Sequence, residues 1–129
     1  MPNILLLEPN QLLGEQYSNY LRNLDYVVDW VKNAQEAVFQ ADKKKPDLVL
    51  MELLLAAHSG LEFLYEFRSY NEWQSVPIII LSRIPRAEFP VSDKILAEFG
   101  ITKFLYKPET TLNDLSAKIA RILPAKMQA

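Results

Sequence analysis

Four side chains capable of polar chemistry follow directly on short apolar runs: Glu8 after NILLL, Glu52 after DLVLM, Ser82 after PIIIL and Lys107 after FLY. Two carboxylates, a hydroxyl and an ammonium brought to one place can share charge-assisted hydrogen bonds or form an ion cluster. His58 has the right intrinsic pKa for acid–base work near neutrality. No second catalytic group accompanies it, so it reads as a solvent-facing loop residue. The run Lys43-Lys44-Lys45 reads as a solvated helix end, although it could also meet an acidic partner. The chain has no cysteine, which excludes thiolate nucleophiles, thiolate zinc sites and disulfide scaffolds. Its three glycines, Gly14, Gly60 and Gly100, form no glycine-rich loop able to cradle a nucleotide phosphate.

The elements that must position these groups follow from the apolar pattern. Asn3 to Glu8 is a continuous apolar run closed by an acid, as expected of a strand buried on both faces. Asn10 is placed to cap a helix running to about Leu24, with Leu13, Tyr17, Tyr20, Leu21 and Leu24 at three- and four-residue spacing. Tyr26 to Val31 is β-branched and aromatic, a second strand. Asn33 caps a second helix with an Ala34, Ala37, Val38 and Ala41 stripe, ended by the three lysines and Pro46. Asp47 to Glu52 repeats the first strand pattern. The next helix begins at Leu61 and turns Leu61, Leu64 and Phe67 inward. Pro77 to Leu81 is a fourth strand, a helix is expected from about Val91 to Gly100, and Thr102 to Leu105 forms the fifth strand. Thr111 to Leu123 is the last helix, with Leu112, Leu115, Ile119 and Ile122 on one face. Five strands alternating with five helices require a parallel sheet covered on both faces. Ligands of such sheets collect beyond the carboxyl ends of the strands, where Glu8, Glu52, Ser82 and Lys107 stand.

Length and composition set the frame. The 129 residues suffice for one domain with a substantial core. Half of them are apolar and 23% charged, a globular rather than a disordered balance. A net charge of −2 argues against non-specific nucleic-acid binding. No apolar run is long enough to span a bilayer, and the N-terminus lacks a basic stretch and cleavage signal, so a cytoplasmic location without membrane contact is expected.

Four segments, ILLLEPN at 4–10, PDLVLMELLLAAHSGLEFL at 46–64, VPIIILS at 76–82 and FLYKP at 104–108, together resemble the receiver domain of the response-regulator family. The resemblance covers essentially the whole chain. It implies a flavodoxin-like (βα)5 three-layer α/β sandwich with a parallel sheet of order 2-1-3-4-5. It divides the chain into a receiver-like domain at 1–123 and a C-terminal tail or linker stub at 124–129. It also gives Lys107 the role of the lysine that pairs with a phosphoryl group, Ser82 that of the switching hydroxyl, and Phe104 that of the rotating aromatic. Glu8 matches the first acid of the family's acidic pair. Two positions depart from the pattern: Pro9 stands where the second acid would be, and Glu52 where the phosphorylated aspartate would be. The loop through Ala56 and His58 also lacks the family's proline.

These departures change the chemistry the resemblance implies. Proline brings no side-chain oxygen to an octahedral magnesium site, and glutamate adds a methylene, roughly 1.5 Å of reach. A displacement of about 1 Å can cost on the order of a hundredfold in rate. Magnesium binding is therefore expected to be weak or absent, with no other cofactor or metal. The chain is expected to act as a phosphorylation-independent protein–protein interaction module in signal transduction or transcription control, not as an enzyme. The alternative is a working receiver that takes a phosphoryl group from a histidine kinase; a small-ligand module using the strand-end crevice is a third reading. Glu52 either imitates the phosphorylated state or joins Glu8 and Lys107 in a structural ion cluster. The resemblance further implies a protein partner or a homodimer through Ile95, Phe99, Lys103, Phe104 and Lys118, without direct nucleic-acid contact. The aromatic surplus at Phe63, Tyr65, Phe67, Tyr70 and Trp73 serves either an interface or neighbouring loops.

Overall fold

The computed structural model describes residues 1–55 and 59–123; His58, Ala56 and the tail at 124–129 lie outside the described residues. Five parallel strands run in the order β2-β1-β3-β4-β5. They are β1 (Asn3–Leu7), β2 (Val27–Val31), β3 (Leu48–Met51), β4 (Ile78–Ser82) and β5 (Ile101–Tyr106). The helices are α1 (Gln11–Arg22), α2 (Ala34–Lys43), α3 (Gly60–Ser69), α4 (Asp93–Glu98) and α5 (Leu112–Ile122). Single 3-10 turns at Asn71–Trp73, Arg86–Glu88 and Lys107–Glu109 join some of these elements.

The strands alternate their side chains between two cores. Leu5, Leu7, Val49, Met51, Ile78 and Ile80 face α2, α3 and α4, whereas Ile4, Leu6, Leu48, Leu50, Ile79 and Leu81 face α1 and α5. Helices on both faces explain why β1, β3 and β4 are buried along their whole lengths. On the first side Phe67 stacks between Phe63 and Trp73, with ring centroids 5.2 and 4.9 Å away. Phe63 joins Leu64 and Phe67 in this core, and Leu61, half-buried, packs against its margin.

Side-chain caps set where the helices begin. Asn10 Oδ1 accepts from the Leu13 N–H and Asn33 Oδ1 from the Glu36 N–H, both at 2.9 Å. Thr111 and Asp114 form a reciprocal capping box at α5. Ser92 caps α4, which therefore starts later than Val91 and ends before Gly100. Gly100 has φ +67° and turns the chain into β5. β5 extends beyond the expected 102–105 because its ladder with β4 continues to the Ser82–Tyr106 pair.

Gly14 on α1 is a close-approach position. A Cβ there would lie 2.0 Å from Trp30 Cε2 on β2. Alanine would gain up to about 1 kcal/mol in helix propensity, but overpacking costs about 1–3 kcal/mol, so the clash wins. Gly14→Ala is expected to lower the urea midpoint, and Trp30→Val is expected to relieve most of that loss in a double-mutant cycle.

Candidate functional site

The alternation of apolar strand and polar terminus brings the four sequence-identified groups to one edge. Glu8 and Glu52 follow the last residues of β1 and β3, Ser82 ends β4, and Lys107 opens the turn after β5. The pairing continues past the strands: the Glu8 N–H donates to Val31 O and the Glu52 N–H to Leu7 O, both at 3.0 Å. Those bonds fix where the two side chains leave the backbone.

Lys107 joins the carboxylates. Its Nζ lies 2.7 Å from Glu8 Oε1 and 2.8 Å from Glu52 Oε1. The Lys107 side chain is 9% exposed, with Glu8 at 3% and Glu52 at 1%. Backbone donors complete the set. Glu52 Oε1 also accepts from the Arg83 N–H and Oε2 from the Leu54 N–H, each at 3.0 Å. Glu8 Oε2 accepts from the Asn10 N–H at 3.0 Å. Ser82 is fully buried, and its Oγ accepts from the Ile84 N–H at 3.1 Å.

Burial works to raise the Glu52 pKa, but hydrogen bonds from Lys107, Leu54 and Ser82, with the lysine's attraction, outweigh it and hold the carboxyl below its ordinary value. Its stabilisation is therefore complete above the unfolded value of 4.5 and lost as pH falls through the lower folded value. Urea denaturation between pH 3 and 7 is expected to show a steep acid limb that Glu52→Gln flattens; an identical limb in the variant would place the titration elsewhere.

Two contributors were not legible as site residues. Tyr17 on α1 has its pKa pushed up to about 12 by burial and then by the Glu8 and Glu52 charges. Its three- and four-residue spacing with other apolar residues marked only a core position. Trp30 Nε1 donates to the Glu8 carbonyl at 3.0 Å, a contact set by the β1–β2 register. No pattern in the sequence specifies that register.

A crevice of about 440 Å³ opens over the cluster, lined by Pro9, Asn10, Leu13, Leu54 and Arg83 as well as the charged residues. The magnesium ion implied by the resemblance does not fit this donor set. Both carboxylates contact the lysine ammonium, Pro9 supplies no side-chain oxygen, and among the described residues no group of three acids or histidines could hold a metal.

Phe104 is half-buried, with its ring centroid 6.4 Å from that of Phe89 and 5.8 Å from the Arg86 guanidinium. Arg86 in turn pairs with Asp93 at 2.5 Å. Ile95 and Lys103 are exposed and Lys118 half-buried. Phe99 corrects the expected interface: it is only 6% exposed, because the short α4 folds it into the core with its ring against the edge of Tyr65. Among the described residues no helix is long and apolar enough to cross a membrane.

Comparison with known proteins agrees with this architecture. The model of the response regulator receiver domain matches residues 4–120. The KDP operon transcriptional regulatory protein KdpE of Escherichia coli is 32% identical over 109 residues, covering 84% of this chain and 45% of that protein. The transcriptional regulatory protein MalR of Bacillus subtilis is 29% identical over 126 residues, covering 92% of this chain and 52% of that one. The chain thus spans about half the length of these curated relatives. The crystal structure of the chemotaxis protein CheY4 of Vibrio cholerae superposes with a TM-score of 0.84 at 22% identity, covering 95% of this chain and 99% of that one. The chain belongs to the response regulator receiver domain family of two-component signalling.

Proposed function

We propose that this domain works through protein contact without being phosphorylated, and that it catalyses no reaction. The observation that carries this reading is the engagement of the Glu52 carboxylate. Lys107 Nζ, the Arg83 and Leu54 N–H groups and the Ser82 hydroxyl already engage its two oxygens, against about four lone-pair sites that a carboxylate offers. Attack on phosphorus needs an oxygen free to approach in line, with cationic help to neutralise charge. Here the Lys107 ammonium is committed to two carboxylates, and Pro9 adds no acid with which to recruit a metal ion.

That the relatives KdpE and MalR are transcriptional regulatory proteins supports a role in transcription control. The domain itself would make no direct nucleic-acid contact. A protein partner or a second copy would be met through the surface that carries Ile95, Lys103, Phe104 and Lys118, in the cytoplasm. The second reading, a working receiver loaded by a histidine kinase, is favoured by Ser82 and Lys107 standing at the family's positions.

Amide NMR spectra recorded with magnesium and beryllofluoride separate the two. No change is expected at Glu52, Ser82 or Phe104. Saturable shifts centred on those three residues would establish the working receiver and discard the proposal.

A further inference from the structure

We propose that the groove between α2 and α3 docks a cationic helix of a protein partner, with an apolar residue laid on Val38, Phe39 and Tyr70 and a lysine or arginine set between Asp42 and Glu66. This rests on reading the domain as a protein-contact module, but not on the silence of Glu52.

The groove encloses about 310 Å³. From α2 it takes Gln35, Val38, Phe39 and Asp42, whose spacing of three, four and seven residues makes one continuous stripe. From α3 and the turn after it come Glu66, Tyr70 and Trp73. α2 already buries a different stripe, Ala37 and Ala41, against the sheet. Phe39, 63% exposed, and Tyr70, 40% exposed, therefore leave two rings in water beside the groove. Large exposed rings grouped around a concavity mark a contact surface rather than scattered surface apolarity.

Charge decides the class of partner. Two carboxylates and no cation line the groove. Lys43 stands outside the lining with its ammonium 4.5 Å from the Phe39 centroid, so that ring already accommodates a cation. An acidic segment would meet two like charges here, while a basic one would gain two ion pairs and aromatic faces. The groove runs between two helices and presents no strand edge, which selects a helical ligand over an extended one.

The test titrates the isotope-labelled domain with a synthetic amphipathic helix of leucine, lysine and arginine, and with its twin in which glutamate replaces the basic residues. The cationic peptide is expected to give saturable amide shifts confined to α2, α3 and the Asn71–Trp73 turn, and the acidic twin none. Removing both carboxylates with the double variant D42N/E66Q is expected to weaken binding about tenfold. Phe39→Ala is expected to weaken it severalfold. All three positions are exposed, so the variants should fold, which unchanged sheet amides would verify. Equal binding of the acidic twin, shifts centred elsewhere, or no binding overturns the proposal. The same shifts appearing with protein concentration alone, with sedimentation as a dimer, would assign the groove to a second copy and also overturn it. If the peptide fails while beryllofluoride leaves Glu52 unmoved, the groove falls and the protein-contact reading stands.

Discussion

Lys107→Met is expected to lower the melting temperature by roughly 10–20 °C, because removing one member of a buried ion cluster typically costs about 3–5 kcal/mol. An exposed lysine would contribute near zero. Lys107 differs because its side chain is 9% exposed and holds two carboxylates that are 3% and 1% exposed. Without the ammonium, two like charges share a site largely shut off from water. The backbone N–H groups of Leu54, Arg83 and Asn10 soften that penalty without supplying a full positive charge. The loss should shrink in acid, where the carboxyls take up protons. A triple variant, E8Q/E52Q/K107M, should recover most of the stability: glutamine keeps an acceptor oxygen for each backbone donor and carries no charge. Thermal unfolding followed by circular dichroism reads all of these effects. A Lys107→Met loss of only a degree or two would show that water screens the cluster.

The second large effect is a gain. P9D/E52D is expected to take up a phosphoryl group from acetyl phosphate in the presence of magnesium, at a rate on the order of a hundred times that of the parent chain or more. The carboxylate oxygen at position 52 would attack phosphorus as acetate departs. Two obstacles named above are removed together. Pro9 lines the same crevice as Glu8 and Glu52, so an acid there adds a third carboxylate to a set that now holds two. Shortening residue 52 by one methylene draws its oxygens back from Lys107, opening space for the incoming group. Each single change should achieve less than the pair, since one leaves the donor set short and the other leaves the geometry long. Intact-protein mass spectrometry over a time course measures the uptake. Equal labelling of the parent chain would show that neither departure silences the pocket.

The site was more legible than its surroundings for a definite reason. A strand buried on both faces must be apolar throughout, so the first polar residue marks where it leaves the sheet. Glu8 and Glu52 announce themselves in this way, as does Ser82 at the last position of its strand, whereas Lys107 follows the edge strand β5, which is itself partly exposed and holds Thr102 and Lys103. The parallel topology then forces them to one edge. What depends on register or on local capping was not legible. Trp30 reaches the Glu8 carbonyl only because Leu6 pairs with it across the ladder. Phe99 was placed at an interface by the resemblance alone, whereas it is the C-cap residue of α4 and its ring is buried. The aromatic surplus divided along physical lines. Phe63, Phe67 and Trp73 stack inside, while Tyr65 and Tyr70 are 63% and 40% exposed and pack edge-on to Phe99 and Trp73.

The placement of the chain's two tryptophans has a spectroscopic consequence. Trp73, 3% exposed, stacks on Phe67 on one face of the sheet and borders the groove that carries Asp42 and Glu66. Trp30 rests on Gly14 with its indole N–H bonded to the main chain of Glu8, so its emission is coupled to the hydrogen-bonding state of the strand-end pocket. The two indoles thus report on separate places, Trp73 on the α2–α3 groove and Trp30 on the strand-end pocket. Replacing either tryptophan by phenylalanine would let the other follow its own site in real time without an extrinsic dye.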